Sequence, residues 1–147
     1  MIDLRRRAVI IDIDGTLALR RTGPGERSPF DWGRVGEDLP NPPVIELAQV
    51  LAASSRYMMI VMSGRDEVCR RQTEMWLDAQ QVPFDVLLMR AAKDNRKDAI
   101  VKEELYRRHI EGRYEVAFVV DDREQVITMW RSLGLHVFAL EDQTVDR

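Results

Sequence analysis

Cysteine is nearly absent from this chain: Cys69 is the only one in 147 residues. An internal disulfide is therefore excluded, a cytoplasmic setting is natural, and Cys69 is expected to pack in a core. Histidine is scarce as well, and neither His109 nor His136 has sequence neighbours that suggest a metal or nucleophilic site. No apolar run reaches membrane-spanning length, and the stretch Met1 to Arg7 is too short before the first apolar segment to be a secretory signal. The net charge of −3 argues against indiscriminate nucleic-acid binding. With 45% hydrophobic residues and no repeat, low-complexity tract or linker, residues 1–147 read as one domain with one core.

The most informative stretch is Ala8-Val9-Ile10-Ile11-Asp12-Ile13-Asp14-Gly15-Thr16-Leu17. Its β-branched residues do not alternate with polar ones, as expected of a strand buried on both faces of a parallel sheet. Such sheets bind ligands at the carboxyl ends of their strands, which is where Asp12 and Asp14 fall. Two nearby carboxylates can divide nucleophilic attack and proton transfer, given a cation to relieve their repulsion; Mg²⁺ is the usual hard partner. Aspartate also ends strands for purely local reasons, so this pair alone does not decide the matter.

The rest of the chain alternates. Strands are expected at 8–13, 57–62, 84–89, 116–120 and 135–140, and helices at about 44–54, 67–79, 96–109 and 124–133. A loop-rich excursion, 17–39, forms a candidate flap. The order predicts an α/β fold, a Rossmann-like three-layer α/β/α arrangement with a mainly parallel sheet. The ends of the first, second and fourth strands would then bring Asp12, Asp14, Ser63, Asp121 and Asp122 into one crevice. Asp98 stands four residues before Lys102, so it either orients that ammonium group or makes an ordinary exposed ion pair. Arginines and lysines at 20, 21, 27 and 34, at 65, 70 and 71, and at 90, 93, 96 and 97 follow strand ends; they form a basic rim or are simply solvated. Phe30 and Trp32 in the flap either stack on a base or close a small local core, whereas Trp76 and Trp130 fit helix packing.

Four segments together resemble the haloacid dehalogenase-like phosphohydrolases. Asp12-Ile13-Asp14-Gly15-Thr16 is similar to the DxDGT motif, Val61-Met62-Ser63-Gly64-Arg65 to the second motif, Arg96 to Lys102 to the third, and Phe118 to Asp122 to the fourth. A narrower likeness, from about Asp12 to Phe138, is to the 3′-phosphatase domain of bacteriophage polynucleotide kinase. It rests on Arg27-Ser28-Pro29-Phe30-Asp31, Ser63-Gly64-Arg65, Arg96-Lys97-Asp98 and Asp121-Asp122-Arg123. The resemblance implies Asp12 as nucleophile, Asp14 as general acid and base, and Ser63 and Lys102 as ligands of the transferring phosphoryl group. It further implies Mg²⁺ held by Asp12, the backbone carbonyl of Asp14 and one or both of Asp121 and Asp122. Thr16, Arg27, Gly64 and Arg65 join the substrate-binding set, and Asp98 supports Lys102. The segment Ala18 to Glu26 is longer than its counterpart in the phage enzyme, which leaves the reach of Arg27 open.

No insertion is large enough for the cap domain carried by many relatives, so the mouth is expected to be open. That suits a polynucleotide end, and equally a phosphoprotein. The implied activity is Mg²⁺-dependent hydrolysis of 3′-phosphate from DNA or RNA ends through an aspartyl-phosphate, in nucleic-acid repair. The alternatives are a capless phosphatase for proteins or small metabolites, or a phosphate-binding module without turnover. The implied partners are nucleic-acid 3′-phosphate ends and a separate or fused 5′-kinase or ligase, with no membrane. A P-loop, G-x-x-x-x-G-K-[ST], does not occur here.

Overall fold

A computed structural model of the chain describes residues 4–19 and 23–141. Arg20 and Arg21, counted above in the first basic cluster, lie outside the described residues. Seven strands appear in chain order: β1 Arg6–Ile11, β2 Ala18–Leu19, β3 Leu39–Pro40, β4 Met58–Asp66, β5 Val86–Arg90, β6 Tyr114–Asp121 and β7 Val137–Ala139. Four helices join them: α1 Pro42–Ala53, α2 Arg70–Ala79, α3 Asp98–His109 and α4 Glu124–Ser132. Five strands make one sheet in the order β5-β4-β1-β6-β7, and every pairing within it is parallel.

β1 is central because it is apolar on both faces. Val9 and Ile11 join one core with Met59, Val61, Leu87 and Val120, covered by Val44, Ile45 and Ala48 of α1 and Trp76 and Leu77 of α2. Ala8 and Ile10 face the other way, into a core with Ile60, Met62 and Val119 beneath Val126, Ile127, Met129 and Trp130 of α4. Leu105 and Tyr106 of α3 pack against that second core. Two cores on opposite faces are the signature of a three-layer α/β/α fold. Cys69 is buried in the first of them. Among the described residues no helix is long and apolar enough to cross a membrane.

Several boundaries differ from the expected ones for local reasons. β1 stops at Ile11 because the Ile13 carbonyl turns to accept from the N–H groups of Thr16 and Ala18, which opens a loop at Asp12. The described part of the excursion after it is anchored in the fold. β2 pairs antiparallel with β3, and a 3-10 turn over Trp32–Glu37 buries Val35 in the core. β4 runs past Met62 to Asp66, but its pairing with β5 jumps from Ser63–Met89 to Asp66–Arg90. Gly64 and Arg65 bulge out of the ladder, and bulges of this kind re-aim side chains at sheet rims.

Candidate active site

The carboxyl ends of β1, β4 and β6 meet where the sequence placed its acids. Asp12 directly follows β1, and its N–H still donates to the Val120 carbonyl of β6 at 3.1 Å. The residue is 5% exposed. One carboxylate oxygen accepts from Lys102 Nζ at 2.7 Å, and the other accepts from Thr16 Oγ1 at 3.0 Å. Lys102, 3% exposed on α3, also donates to Asp121 Oδ2 at 3.1 Å. The remaining valences of Asp121 are used locally: Trp130 Nε1 donates to Oδ2 at 3.2 Å, and the Asp122 N–H donates to Oδ1 at 2.8 Å. Gly15 makes room for Asp122. It lies at φ +86°, and a Cβ there would sit 1.9 Å from Asp122 Oδ2.

Asp12, Asp121 and Asp122 each present an oxygen within 4.8 Å of the others. Three carboxylates against one ammonium leave a formal charge of −2 in this half of the site. Burial, then repulsion from Asp121 and, more weakly, Asp122, push the Asp12 carboxyl well above its ordinary value despite the adjacent Lys102. Burial also raises Asp122. Lys102 responds in the opposite sense: burial disfavours its charge, yet Asp12 and Asp121 hold its pKa far above the usual lysine range. A hard, all-oxygen donor set with an uncompensated double negative charge fits a divalent cation such as Mg²⁺.

Asp14 belongs to a second group. Its carboxylate is gripped by Arg65, with Nη2 at 2.9 Å from Oδ1 and Nε at 3.0 Å from Oδ2, and Arg27 Nη2 lies 3.5 Å from Oδ1. Burial would raise Asp14, but the charge and hydrogen bonds of Arg65, assisted by Arg27, hold it below the ordinary carboxylate value. Facing the arginines, its side chain is not part of the acidic triad, so only its backbone carbonyl remains for a metal. Asp38 supports both arginines. It accepts from Arg27 Nε and Nη2 at 3.0 and 2.8 Å, and from Arg65 Nη2 at 3.0 Å. Thr73 Oγ1 takes Arg65 Nη1 at 3.1 Å, and Trp76 Nε1 donates to the Asp38 carbonyl at 2.9 Å. Ser63 is fully buried in β4 just before the Gly64–Arg65 bulge, where its Oγ accepts the Arg65 N–H at 3.1 Å and keeps its own proton to donate.

The structure therefore brings Asp12, Asp14, Thr16, Arg27, Ser63, Arg65, Lys102, Asp121 and Asp122 to one strand edge. Despite the longer segment before it, Arg27 reaches the site. Asp98 does not orient Lys102. It is paired with Arg90 and Arg123 and packs beneath Gly64, where a Cβ would come within 2.7 Å of its Oδ1. Being four residues apart on one helical face gives proximity, but two arginines from other elements take the carboxylate. Among the described residues the basic clusters form no uniform rim: Arg27, Arg65 and Arg90 are buried in ion pairs, Arg70 pairs with Glu67 and Glu74, and Arg96 pairs with Asp94 and Glu104.

Asp38, Thr73 and Asn41 are not legible in the sequence as supports of the site, and Arg90, expected in a basic rim, instead pairs with Asp98. Asn41 sends Nδ2 to the Thr16 carbonyl at 2.8 Å and its N–H to Leu17, tying the start of α1 to the Asp12–Thr16 loop. The run Asn41-Pro42-Pro43 signals only a helix start. Trp76 and Trp130 pack as expected, but each also uses its indole N–H on the site's supporting acid segments.

A parallel sheet whose strand ends join a DxDGT loop, a buried lysine and a paired-acid segment defines a haloacid dehalogenase-like phosphatase fold. Within that class, the chain belongs to the polynucleotide kinase PNKP phosphatase domain family, whose model it matches over residues 6–144. It is 37% identical over 134 residues to a putative bifunctional polynucleotide kinase/RNA ligase of Autographa californica nuclear polyhedrosis virus, covering 88% of this chain and 18% of that protein. Among solved structures it is similar to a chain of the Pnkp1/Rnl/Hen1 complex, with TM-score 0.86 and 41% identity over 94% of this chain and 47% of the other. A chain of the Pnkp1/Rnl/Hen1 RNA repair complex gives the same TM-score and identity, covering 93% of this chain and 43% of that one. The chain thus spans less than half the length of these relatives.

Proposed function

We propose that this domain is a Mg²⁺-dependent polynucleotide 3′-phosphatase acting in nucleic-acid end repair. The observation that carries the reading is the buried Asp12, held between Lys102 and Thr16 two residues before Asp14, which Arg65 grips and Arg27 approaches. Asp12 and Asp122 with the Asp14 carbonyl would hold the metal, while Asp121, whose oxygens already accept from Lys102, Trp130 and two backbone N–H groups, positions that lysine. Bound there, Mg²⁺ supplies charge neutralisation for the phosphate and the acids. Asp12 attacks phosphorus in line with the departing sugar oxygen, giving an aspartyl-phosphate. Lys102 and the Ser63 hydroxyl stabilise the equatorial oxygens. The arginines grip the phosphate in place of Asp14, which relieves that carboxylate of their charge. Asp14 then carries the proton to the leaving oxygen and afterwards takes one from the attacking water.

The family match and the relatives named for RNA repair support the substrate, and those relatives' greater length supports action beside a fused or separate kinase or ligase. The test is phosphate release from 3′-phosphorylated and 5′-phosphorylated oligonucleotides, a phosphopeptide and free nucleotides, with and without Mg²⁺. Release from the 3′ end, lost with chelator and in Asp12→Asn, is expected. Preference for the phosphopeptide overturns the substrate; equal release by Asp12→Asn overturns the mechanism.

A further inference from the structure

The flap displays a large aromatic ring for which the fold has no use. Phe30 is 80% exposed, while Trp32, two residues on, packs against the core and meets Phe30 edge-on, with centroids 6.4 Å apart and planes at 89°. A perpendicular neighbour steadies a ring and covers at most one of its faces. The backbone that carries Phe30 is also fixed. Ser28 to Asp31 form a turn closed by the Asp31 N–H on the Ser28 carbonyl at 3.0 Å, with Pro29 and Phe30 at its centre. The Phe30 N–H donates to Ser28 Oγ at 3.3 Å.

The turn is fastened to Arg27, the arginine that stands beside Asp14. Arg27 Nη1 donates to the carbonyls of Ser28 and Pro29 at 3.2 and 3.5 Å, while Nη2 of the same guanidinium faces Asp38 and Asp14. From that anchor, ordinary backbone dimensions put the Phe30 ring within about 10 Å of the guanidinium. That is roughly the reach from a terminal phosphate to the base of its own or the next nucleotide. Arg34 braces the flap further, donating to the Gly25 carbonyl at 2.7 Å while paired with Glu37.

We infer that Phe30 is a nucleobase-stacking platform that receives an unpaired base at the 3′ end while Arg27 faces the phosphate. This deepens the polynucleotide reading above and rests on it. Stacking accepts any base, because every base has a π-face, so the ring favours single-stranded ends without selecting sequence. A blunt duplex, whose terminal bases are stacked and paired, offers it less.

The test compares wild type, Phe30→Ala and Phe30→Trp on a 3′-phosphorylated single-stranded oligonucleotide and on its counterpart lacking bases at the last two nucleotides. A second readout is the fluorescence of 2-aminopurine at those positions. Phe30→Ala is expected to raise KM on the base-bearing end about tenfold with kcat nearly unchanged, and Phe30→Trp to restore it. On the abasic end wild type and Phe30→Ala converge, and quenching of 2-aminopurine by wild type is lost in Phe30→Ala. Unchanged KM, or equal loss on both ends, overturns the inference. If wild type does not hydrolyse the 3′ end at all, the proposed function fails separately. Quenching that depends on Phe30 would still support the stacking role, and absent quenching would overturn it.

Discussion

The two halves of the site are built from the same kinds of charge and balanced differently. Around Asp12, three carboxylates face one lysine, and Asp12 is held well above its ordinary pKa by burial and by Asp121. Around Asp14, two carboxylates face two arginines in a closed set of ion pairs, and Asp14 is held below its ordinary value. The first half is incomplete without a cation. The second is complete by itself and can serve an anion only by exchanging one of its own carboxylates for it. The proposed substrate, a phosphate monoester with its metal, would satisfy both halves at once, which is a physical reason for them to lie side by side.

The contrast is broken most severely by Asp12→Asn. Activity should fall at least about 10³-fold, since the proposed mechanism gives Asp12 the attack on phosphorus and an amide cannot replace it. Yet the metal-free protein should unfold at a temperature no lower than wild type, because the amide removes a carboxylate that burial and Asp121 disfavour. A steep loss of stability in thermal unfolding would contradict the account of the first half. In the second half the order reverses. Arg65→Ala leaves Asp38 buried with less compensation and should cost about 3–5 kcal/mol of stability in denaturant titration, as well as activity. Arg65→Lys restores the charge but not the two-pronged geometry, so it should recover stability better than KM for the phosphate ester.

How much of this was legible follows from the reach of the interactions. β1 could be read directly, because an unbroken apolar run fits a strand buried on both faces, whereas the Asp-x-Asp at its end pointed to a site only alongside the later motifs. The three-layer order followed from the alternation of elements, with boundaries shifted by two residues or so where Asp85 and Lys97 took local hydrogen-bonding or extended roles. Asp38 was not legible. It lies in a segment with no periodicity, and its meaning depends on Arg27 and Arg65, 11 and 27 residues away. Asp98 departs from expectation for a related reason: spacing names the residue a side chain can touch, but competition from Arg90 and Arg123 decides which it does touch.

Asp38→Asn sharpens the comparison at smaller cost. The amide keeps the shape and one acceptor oxygen, so about 1–3 kcal/mol of stability should be lost, measured in denaturant. Arg27 and Arg65 would then turn their full charge on Asp14. A phosphate would compete against a tighter grip, so KM should rise by more than kcat falls. If KM is unchanged, Asp38 is a structural brace and does not tune the arginines.

The smallest effect is a shift in melting temperature, and it separates the halves by pH. Asp12 has a folded pKa above its unfolded one, so without metal it makes the fold less stable as pH rises from the unfolded value, 3.8, towards the folded one. Asp14 has the opposite sign. Its contribution is present above 3.8 and is lost as pH falls through its lowered folded value. A metal must displace any proton on its ligands, so stabilisation by Mg²⁺ should grow with pH across the range in which Asp12 loses its proton. Thermal unfolding at several pH values, with and without Mg²⁺, should show a gap of a few degrees that widens upward in wild type and closes in Asp122→Asn. In Asp121→Asn a gap should persist if, as proposed, Asp122 holds the metal while Asp121 holds Lys102. A gap that closes equally in both variants would mean that the paired acids bind the ion together, and the division of labour between them would be lost.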